Sequence, residues 1–270
     1  MTGTDKVFAG AIPALYQEHM VSMIFEPYAE EMAKRTASLD PRKVLEIAAG
    51  TGVVTRVLAT RLAPSARIIA TDLNQPMLDL AAGLLGASDQ VTFRQADALA
   101  LPFEDDSFDV VVCQFGVMFF ADKLESYREV RRVLKDGGVY LFAVWDQISA
   151  NAFVTVATQV LTERYPEDPP RFMERTPHGY YDTQAIIAAL LEAGFTTAVA
   201  ETVTKVARAT TAGSAAIGYC QGTPLAGEIL AREPGGLQAV TEAIESALAA
   251  RFGPGPIEGG ISAQIITAKK

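Results

Sequence analysis

The chain has 270 residues and a formal net charge of -9, with 49% hydrophobic and 20% charged residues. These fractions are typical of a soluble globular protein and exclude wholesale disorder, and the length suits one or two domains. The Lys and Arg residues form no basic run longer than Arg131-Arg132 before the terminal Lys269-Lys270. Because phosphate binding requires clustered cations, we expect neither a nucleic acid partner nor an anionic membrane surface.

Cysteine and histidine occur only twice each, as Cys113, Cys220, His19 and His178. These residues are too few and too far apart for a disulfide framework or a clustered metal motif, so no metal is expected. No N-terminal segment has the pattern of a signal peptide. The most apolar run, residues 110–121, is shorter than the about 20 residues that cross a bilayer. We therefore expect a cytoplasmic protein without stable membrane insertion.

The first 40 residues have a helical pattern, with breaks expected at Pro13 and Pro27. Short β-rich runs then alternate with segments of helical spacing. Strands are predicted at 44–47, 67–72, 91–95, 109–113 and 139–145, and helices at 53–62, 75–85 and 124–134. This alternation predicts a parallel sheet with helices on both faces.

After Trp145 the regular alternation ends and helical patterns dominate. Helices are predicted at 149–164, at 183–193 and over most of 211–250, strands at 198–207 and 261–268, and a Pro-rich loop at 166–177. The sequence contains no repeat, no low-complexity tract and no evident linker. We therefore predict a single domain over residues 1–270.

The loop from Glu46 to Gly52 joins the first predicted strand to the first predicted helix of the sheet. Glycine lets a backbone turn sharply and approach a ligand closely, and the following helix points its N-terminal amides into such a loop. Together these features are typical of a nucleotide cradle at the carboxyl end of a parallel strand. An ordinary tight turn explains the loop alone equally well.

Asp72 ends the second predicted strand, 22 residues after Gly50. A carboxylate at this place can accept two hydrogen bonds from a ribose diol, and its alternative role is to cap the next helix. A dinucleotide loop of the pattern G-x-G-x-x-G ends in Gly or Ala, whereas this chain has Thr55 there. The loop and the acid together therefore favour a nucleoside-containing cofactor other than a dinucleotide.

Several spaced motifs between about residues 40 and 145 resemble the class I S-adenosylmethionine-dependent methyltransferases, most of all their ubiquinone/menaquinone-biosynthesis-like branch. The matching segments are 44–52 (Val-Leu-Glu-Ile-Ala-Ala-Gly-Thr-Gly), 72–77, 95–99 (Gln-Ala-Asp-Ala-Leu), 103–109 and 133–138. The chain departs from the family pattern at Ala48, where the first glycine is expected, and at Asp136, where a proline is usual. We expect a slightly different loop at Ala48 rather than lost binding.

The resemblance implies an α/β fold, the Rossmann-like methyltransferase fold, with a doubly wound and mostly parallel seven-stranded sheet. It implies an N-terminal helical cap over 1–40, a cofactor-binding core over 41–146, and acceptor-site inserts with the final strands over 147–270. The cofactor would be S-adenosylmethionine, with S-adenosylhomocysteine as product, and the acceptor a small molecule methylated on oxygen, nitrogen or carbon. The sequence leaves a homo-oligomer open.

The resemblance also implies cofactor contacts, position by position. The methionine part would lie beside Glu46, Ala48, Gly50 and Gly52, with Gln114 and Phe115 facing it and the transferred methyl group. The ribose and adenine would be held by Asp72, Leu73, Met77, Asp97 and Ala98. Tyr16 of the cap is a further candidate. Ordinary packing explains Leu73, Met77, Phe115 and Tyr16 equally well or better.

Methyl transfer from a sulfonium requires no protein nucleophile, because holding the two reactants in line supplies about 7–11 kcal/mol of the barrier. A base that accepts the acceptor's proton adds roughly 10²–10⁴-fold. The two candidates are His178, in the turn-rich loop 176–182, and His19, in the N-terminal helices. A surface histidine in a loop and a partly buried structural histidine are their respective alternatives.

Two other functions compete with methyl transfer. An NAD-dependent oxidoreductase shares the loop and Asp72, but Thr55 and the turn at 134–138 argue against it. A non-catalytic protein that binds S-adenosylmethionine stays open because of Ala48. DNA methylation is disfavoured, since Asp168-Pro-Pro-Arg171 has arginine in place of the aromatic residue and lies far from the fourth strand.

Overall fold

The computed structural model describes Asp5, Phe8 and residues 10–270. The chain divides into two compact units. The sheet unit comprises Tyr28–Trp145, Tyr180–Val203 and Ala263–Lys270, and the helical unit comprises Met1–Pro27, Asp146–Gly179 and Thr204–Ser262. That both units belong to one domain stays a prediction.

Seven strands form one sheet in the spatial order β3-β2-β1-β4-β5-β7-β6. Their bounds are β1 Lys43–Glu46, β2 Arg67–Asp72, β3 Val91–Gln95, β4 Phe108–Gln114, β5 Leu134–Trp145, β6 Thr197–Ala209 and β7 Ile257–Lys269. Strands β1 to β5 pair in parallel, whereas β7 runs antiparallel to β5. The predicted fold class, a mostly parallel seven-stranded sheet with flanking helices, is confirmed.

The helices follow the strands in the alternation that the sequence predicts. They are α1 Ile12–Tyr16, α2 Glu26–Ala37, α3 Val53–Arg61, α4 Gln75–Leu85, α5 Lys123–Val133, α6 Ala152–Arg164, α7 Phe172–Arg175, α8 Thr183–Glu192, α9 Ala212–Gln221, α10 Leu225–Arg232 and α11 Leu237–Phe252. A π-helical segment, Gln17–Phe25, joins α1 to α2, and short 3₁₀ turns span Val117–Phe119 and Ile148–Ala150.

Strands β1 and β4 lie in the middle of the sheet, and their central residues are apolar on both faces. Val44, Leu45, Val111 and Val112 are fully buried. Such a run without alternation is typical of a parallel strand that is covered by helices on both faces. The valine run that predicted β4 therefore has a simple cause, which is burial from two sides.

The two prolines of the first 40 residues do not interrupt the helical segment. Pro13 lies in the first turn of α1, where a missing N–H costs nothing. Pro27 is the second residue of α2, directly after the π-helical segment. The predicted breaks are thus wrong, since each proline stands where the helix begins or changes its period.

Candidate functional site

The carboxyl ends of four neighbouring strands meet at one edge of the sheet unit. In the parallel registers Glu46 pairs with Ala70 and with Val112, and Asp72 pairs with Gln95. The strand order reverses between β1 and β4, which is the place where parallel α/β sheets bind their ligands. The predicted cofactor residues that follow β1, β2, β3 and β4 therefore share this edge, which we call the carboxyl edge.

The loop after β1 has an unusual backbone. Ala48, Gly50 and Gly52 have φ values of 54°, 57° and 75°. Glycine adopts this left-handed region freely, but an alanine there costs roughly 1–2 kcal/mol. The loop is tied to the neighbouring strand by a hydrogen bond from the Ala49 N–H to the Thr71 carbonyl, at 2.8 Å, and α3 begins directly after Gly52.

The loop after β4 is strained in the same way. Phe115 has a φ of 55°, which is a genuine outlier for a bulky residue. Its ring stacks on Trp145 with a centroid distance of 3.8 Å and an interplanar angle of 3°, and it meets Tyr28 edge-on at 5.2 Å. A sterically costly conformation held by surrounding packing is common at functional sites.

The two strained loops touch each other. A Cβ added to Gly116 would lie 2.4 Å from the Cβ of Ala48 and 2.7 Å from the sulfur of Cys113. No side chain fits at position 116 without movement of the first loop. The backbone of the loop after β4 is therefore held directly against Ala48.

Asp72 links β2 to the first loop. Its Oδ2 accepts the Gly50 N–H at 2.9 Å, and its Oδ1 accepts the Asn74 N–H at 2.8 Å. The side chain is buried, and burial raises its pKa above the usual value despite these hydrogen bonds. Oδ1 also accepts the Asn74 side-chain amide at 3.3 Å. Each carboxylate oxygen can accept two hydrogen bonds, so the acceptor capacity left for a ligand hydroxyl lies on Oδ2.

Glu46 is the last residue of β1 and is only 2% exposed. Its Oε2 accepts the Thr55 hydroxyl of α3 at 2.6 Å. Burial raises the pKa of Glu46 to about 8; the Thr55 hydrogen bond and the charge of Arg56 oppose this shift, and the charge of Asp72 adds to it. A carboxyl with this pKa is mostly protonated at neutral pH.

The remaining predicted contacts lie after β2, β3 and β4. Leu73 is 39% exposed, whereas Met77 is buried, with its Cε 3.7 Å from the place of a Cβ on Gly50. Asp97 is exposed and accepts the Leu99 N–H at 2.9 Å, and Ala98 beside it is buried. Gln114 ends β4 and is half-buried.

The cofactor that the resemblance implies joins an amino acid, a ribose diol and an adenine ring through a sulfonium. Several features of the carboxyl edge fit such a group: two buried acids, a left-handed loop at a helix N-terminus, and an exposed leucine. The buried Thr51 Oγ1 also has no hydrogen-bond partner among the described residues. Buried polar groups are almost always paired, so Thr51 adds a donor and acceptor for a ligand in the loop.

Three predicted residues belong to the helical unit: Tyr16, His19 and His178. Tyr16 packs on Phe25, with a centroid distance of 4.9 Å. His19 is half-buried, and its Nδ1 lies 3.0 Å from the Ser214 hydroxyl. These contacts describe packing inside the helical unit.

His178 is buried, so it is not the surface histidine that its loop suggests. Its Nδ1 lies 2.7 Å from the Asp146 carbonyl oxygen. Because a carbonyl only accepts, Nδ1 carries the hydrogen. Burial lowers the pKa of His178 to about 4, although the Asp146 carbonyl acts in the opposite direction. The ring is therefore neutral at physiological pH.

Three residues of the carboxyl edge escaped sequence reasoning as participants: Thr51, Thr55 and Asn74. In the sequence, Thr55 indicates only a departure from the dinucleotide pattern. In the structure, its hydroxyl donates to Glu46. Asn74 binds Asp72 through both its backbone N–H and its side-chain amide, and an Asp-x-Asn spacing before a helix is the signal that could have indicated it.

A mostly parallel seven-stranded sheet with a nucleoside-type edge defines the class of Rossmann-like methyltransferases. The methyltransferase domain family matches residues 45–142 of this chain. These residues therefore belong to that domain family, and the predicted resemblance to the class I S-adenosylmethionine-dependent methyltransferases is confirmed.

The relatives that match agree with this assignment. The ubiquinone/menaquinone biosynthesis C-methyltransferase of Ectopseudomonas mendocina is 33% identical over 168 residues, which cover 57% of this chain and 64% of that protein. The demethylmenaquinone methyltransferase of Deinococcus radiodurans is 44% identical over 99 residues, covering 36% and 41%. The chain thus spans less than two thirds of the length of either relative.

Solved structures share the fold. A phosphoethanolamine N-methyltransferase of Haemonchus contortus, crystallised with phosphomonomethylethanolamine and S-adenosylhomocysteine, superimposes with a TM-score of 0.61. The superposition covers 96% of this chain and 56% of the Haemonchus chain, and the two sequences are 17% identical. Within the described residues no helix has both the length and the apolar character to cross a membrane.

Proposed function

We propose that this chain transfers a methyl group from S-adenosylmethionine to a small-molecule acceptor and leaves S-adenosylhomocysteine. The observation that carries the proposal is the carboxyl edge of β1 and β2, where a left-handed loop and the buried acids Glu46 and Asp72 lie inside the matched domain. The fold alone would not support it, because the same fold hosts many chemistries.

The proposed cofactor contacts follow the four strand ends. Asp72 accepts from the ribose diol through Oδ2, the oxygen that bonds to the Gly50 N–H of the first loop and has acceptor capacity left beside that bond. Asp97, which is exposed, accepts from the adenine amino group, and Leu73 covers the ring. The methionine part lies against the backbone of the first loop and against Glu46.

When bound, S-adenosylmethionine supplies an already activated methyl group on its sulfonium. The task of the chain is to position the two reactants and to exclude water. Phe115 is suited to this task, since its stacking on Trp145 and its contact with Tyr28 fix the ring in one place. Tyr28 is itself held by a hydrogen bond from its hydroxyl to the Val203 carbonyl at 2.9 Å.

The proton of the acceptor needs a base, and we propose His178 for this role, with His19 as second candidate. His178 is neutral across the physiological range because burial lowers its pKa to about 4. The same shift makes it a weak base, so it suits an acceptor whose proton is already acidic. His19 is held through Nδ1 by the Ser214 hydroxyl.

The acceptor is proposed as a small molecule rather than a nucleic acid, since the net charge is -9. One relative is named a ubiquinone/menaquinone biosynthesis C-methyltransferase, and the other a demethylmenaquinone methyltransferase. A quinol-type ring, methylated on carbon, is therefore the first acceptor to assay. The proposed location is the cytoplasm.

The oxidoreductase alternative is weakened at Thr55. A dinucleotide loop takes Gly or Ala at this position so that the helix can approach the strand closely. Here the Thr55 side chain is fully buried, and its hydroxyl is bonded to Glu46. Enhanced NADH fluorescence on mixing would favour that alternative.

Titration calorimetry with S-adenosylmethionine and S-adenosylhomocysteine tests the proposal. We expect both to bind, and Asp72→Ala to weaken binding about 10–100-fold, because one hydrogen bond to a charged group is worth about 1.5–3 kcal/mol. Asp79→Ala is the matched control, since Asp79 is an exposed acid on α4. Absence of binding at millimolar ligand, or equal affinity in the Asp72→Ala variant, would overturn the proposal.

A further inference from the structure

The two buried acids of the carboxyl edge differ in their hydrogen-bond donors. Asp72 accepts the Gly50 and Asn74 N–H groups and the Asn74 side-chain amide. The Glu46 carboxyl accepts from a single residue, Thr55, through its hydroxyl at 2.6 Å and its backbone N–H. Among the described residues no Lys, Arg or His nitrogen forms an ion pair with Glu46 within 4.0 Å. A buried carboxylate without an ion pair is costly, so Glu46 is the acid that retains a proton.

The charged and titratable groups around Glu46 come from three elements. Arg56 on α3 lowers its pKa, and Asp72 on β2 raises it. Cys113 on β4 stays a neutral thiol, because burial raises its pKa to about 12. The Arg56 guanidinium donates to the Thr51 carbonyl at 2.6 Å. The surroundings of Glu46 therefore contain one other acid, one neutral thiol and one arginine.

A cation that binds at the carboxyl edge changes the protonation equilibrium of Glu46. Its positive charge favours the ionised form of a nearby carboxyl. The methyl donor carries a sulfonium charge, and the product, a thioether, does not. Both molecules carry the same α-amino and α-carboxyl groups, so any difference between them at Glu46 comes from the sulfonium.

We propose that Glu46 is a specificity determinant: it is protonated in the free protein, releases this proton to solvent when the sulfonium cofactor binds, and keeps it when the thioether product binds. The inference rests on the proposed function. The exchange is balanced, because one proton leaves the carboxyl as one cation arrives, and one proton returns when the product replaces the donor. The site thereby favours the methyl donor over its own product as the pH rises.

Calorimetry in two buffers of different ionisation enthalpy, phosphate and Tris, counts the protons released. We expect S-adenosylmethionine to release close to one proton more than S-adenosylhomocysteine near pH 7. The ratio of the two affinities should then rise by up to about tenfold per pH unit between pH 6.5 and 8, since one linked proton gives this slope.

Two variants assign the proton to Glu46. Glu46→Gln keeps the shape and cannot ionise, so the affinity ratio should become independent of pH. Thr55→Val removes the hydroxyl that bonds to Glu46 at 2.6 Å but keeps the carboxyl, so the rise should move to higher pH. Infrared difference spectra give a readout without turnover: the C=O band of a protonated carboxyl should disappear when S-adenosylmethionine is added and persist with S-adenosylhomocysteine.

Each outcome decides something. Equal proton release for the two ligands overturns this inference and leaves the proposed function intact, as does a pH-dependent ratio that persists in Glu46→Gln. If neither ligand binds at millimolar concentration, both the inference and the proposed function fail. Should Glu46→Gln not fold, the Thr55→Val shift and the infrared band in the unmodified protein decide the question.

Discussion

Two acidic side chains are each only 2% exposed, Asp5 in the helical unit and Glu46 in the sheet unit. Asp5 accepts two N–H groups of Arg175, at 2.7 and 3.1 Å, and the Thr176 hydroxyl at 2.8 Å. The carboxyl of Glu46 accepts from Thr55 alone among the described residues. Equal burial thus coexists with opposite electrostatic surroundings.

The difference separates a structural acid from a functional candidate. A carboxylate that is bonded on two sides by a guanidinium is balanced within the fold, and charge-assisted bonds of this kind are strong. A buried carboxyl without an ion pair is stable only if it stays protonated or meets a cation from outside. Perturbed acids of the second kind are typical of functional sites.

Backbone strain divides the two units in the same way. The non-glycine residues with positive φ in the described part of the chain all lie in the sheet unit: Asp40, Ala48, Asp106 and Phe115. Two of them, Ala48 and Phe115, lie at the carboxyl edge. In the described part of the helical unit no residue other than glycine has a left-handed backbone, whereas the carboxyl edge contains two such residues.

The largest effect on stability is expected from removing the ion pair between Asp5 and Arg175. Arg175→Met leaves Asp5 and Glu228 without their shared guanidinium, whose bonds measure 2.7 and 2.6 Å. Removal of one partner of a buried pair typically costs about 3–5 kcal/mol of the free energy of unfolding. Urea denaturation measures this loss.

Arg208→Met is the matched control, because Arg208 also pairs with a glutamate at 2.8 Å but its side chain is 66% exposed. An exposed pair is worth about 0–1 kcal/mol. Equal losses in the two variants would show that Asp5 is not held by its arginine, and the contrast with Glu46 would fail.

The second prediction concerns stability against pH. The folded pKa of Glu46, about 8, lies above its unfolded value near 4.5, so the folded state keeps a proton that the unfolded state has lost. This contribution is complete below pH 4.5 and falls as the pH rises towards 8. At about 1.4 kcal/mol per pH unit, we expect a loss of about 2–3 kcal/mol between pH 6 and 8 that Glu46→Gln abolishes.

Glu163→Gln serves as the control, since Glu163 is an exposed acid on α6. Its stability curve should follow that of the unmodified protein. Asp72 also has a raised pKa, so a smaller decline in the same direction remains in Glu46→Gln. A variant curve as steep as the original would mean that Glu46 is ionised in the free protein.

The carboxyl edge was largely predictable because its chemistry is local in sequence. Strand β2 ends at Asp72 as predicted, and one short segment contains the strand, the acid and the start of α4. The sequence shows Ala48 as a departure from the family pattern, but it shows neither the left-handed φ of 54° nor the close approach to Gly116, which lies 68 positions further along the chain. Long-range contacts of this kind leave no local pattern.

The helical unit shows the opposite case, in which the elements were predictable and the roles were not. Helices α6, α9 and α11 follow the predicted segments closely, although the four-residue α7 inside the Pro-rich loop was missed. The burial of His178 depends on a carbonyl 32 positions away. The sequence pattern of its loop indicated only a turn.

A third prediction uses His178, whose folded pKa of about 4 lies below the unfolded value of 6.5. The unfolded state therefore binds a proton that the folded state does not bind, and the free energy of unfolding decreases as the pH falls below 6.5. We expect a loss of about 1–2 kcal/mol between pH 6.5 and 5. His178→Asn, which can still donate to the Asp146 carbonyl, should remove this decline.

His178 lowers the free energy of unfolding as the pH falls, whereas Glu46 lowers it as the pH rises. His178→Asn should therefore flatten the acid side of the stability curve, and Glu46→Gln the alkaline side. Chemical denaturation at pH 5, 6.5 and 8 distinguishes them. If His178→Asn changes the alkaline limb instead, then the imidazole is not the buried neutral group that its contact with Asp146 indicates.

The smallest effect is expected at Ala48 and sharpens the contrast in backbone strain. Ala48→Gly relieves a left-handed alanine, which is worth roughly 1–2 kcal/mol, against about 0.5–1 kcal/mol for the greater flexibility of glycine in the unfolded chain. The variant should therefore be more stable by about 0.5–1 kcal/mol. Ala49→Gly, one position further in the same loop and with no positive φ, should be less stable, since glycine there brings its entropic cost and removes a buried methyl group. A loss of stability in both variants on urea denaturation would remove the strain assigned to Ala48.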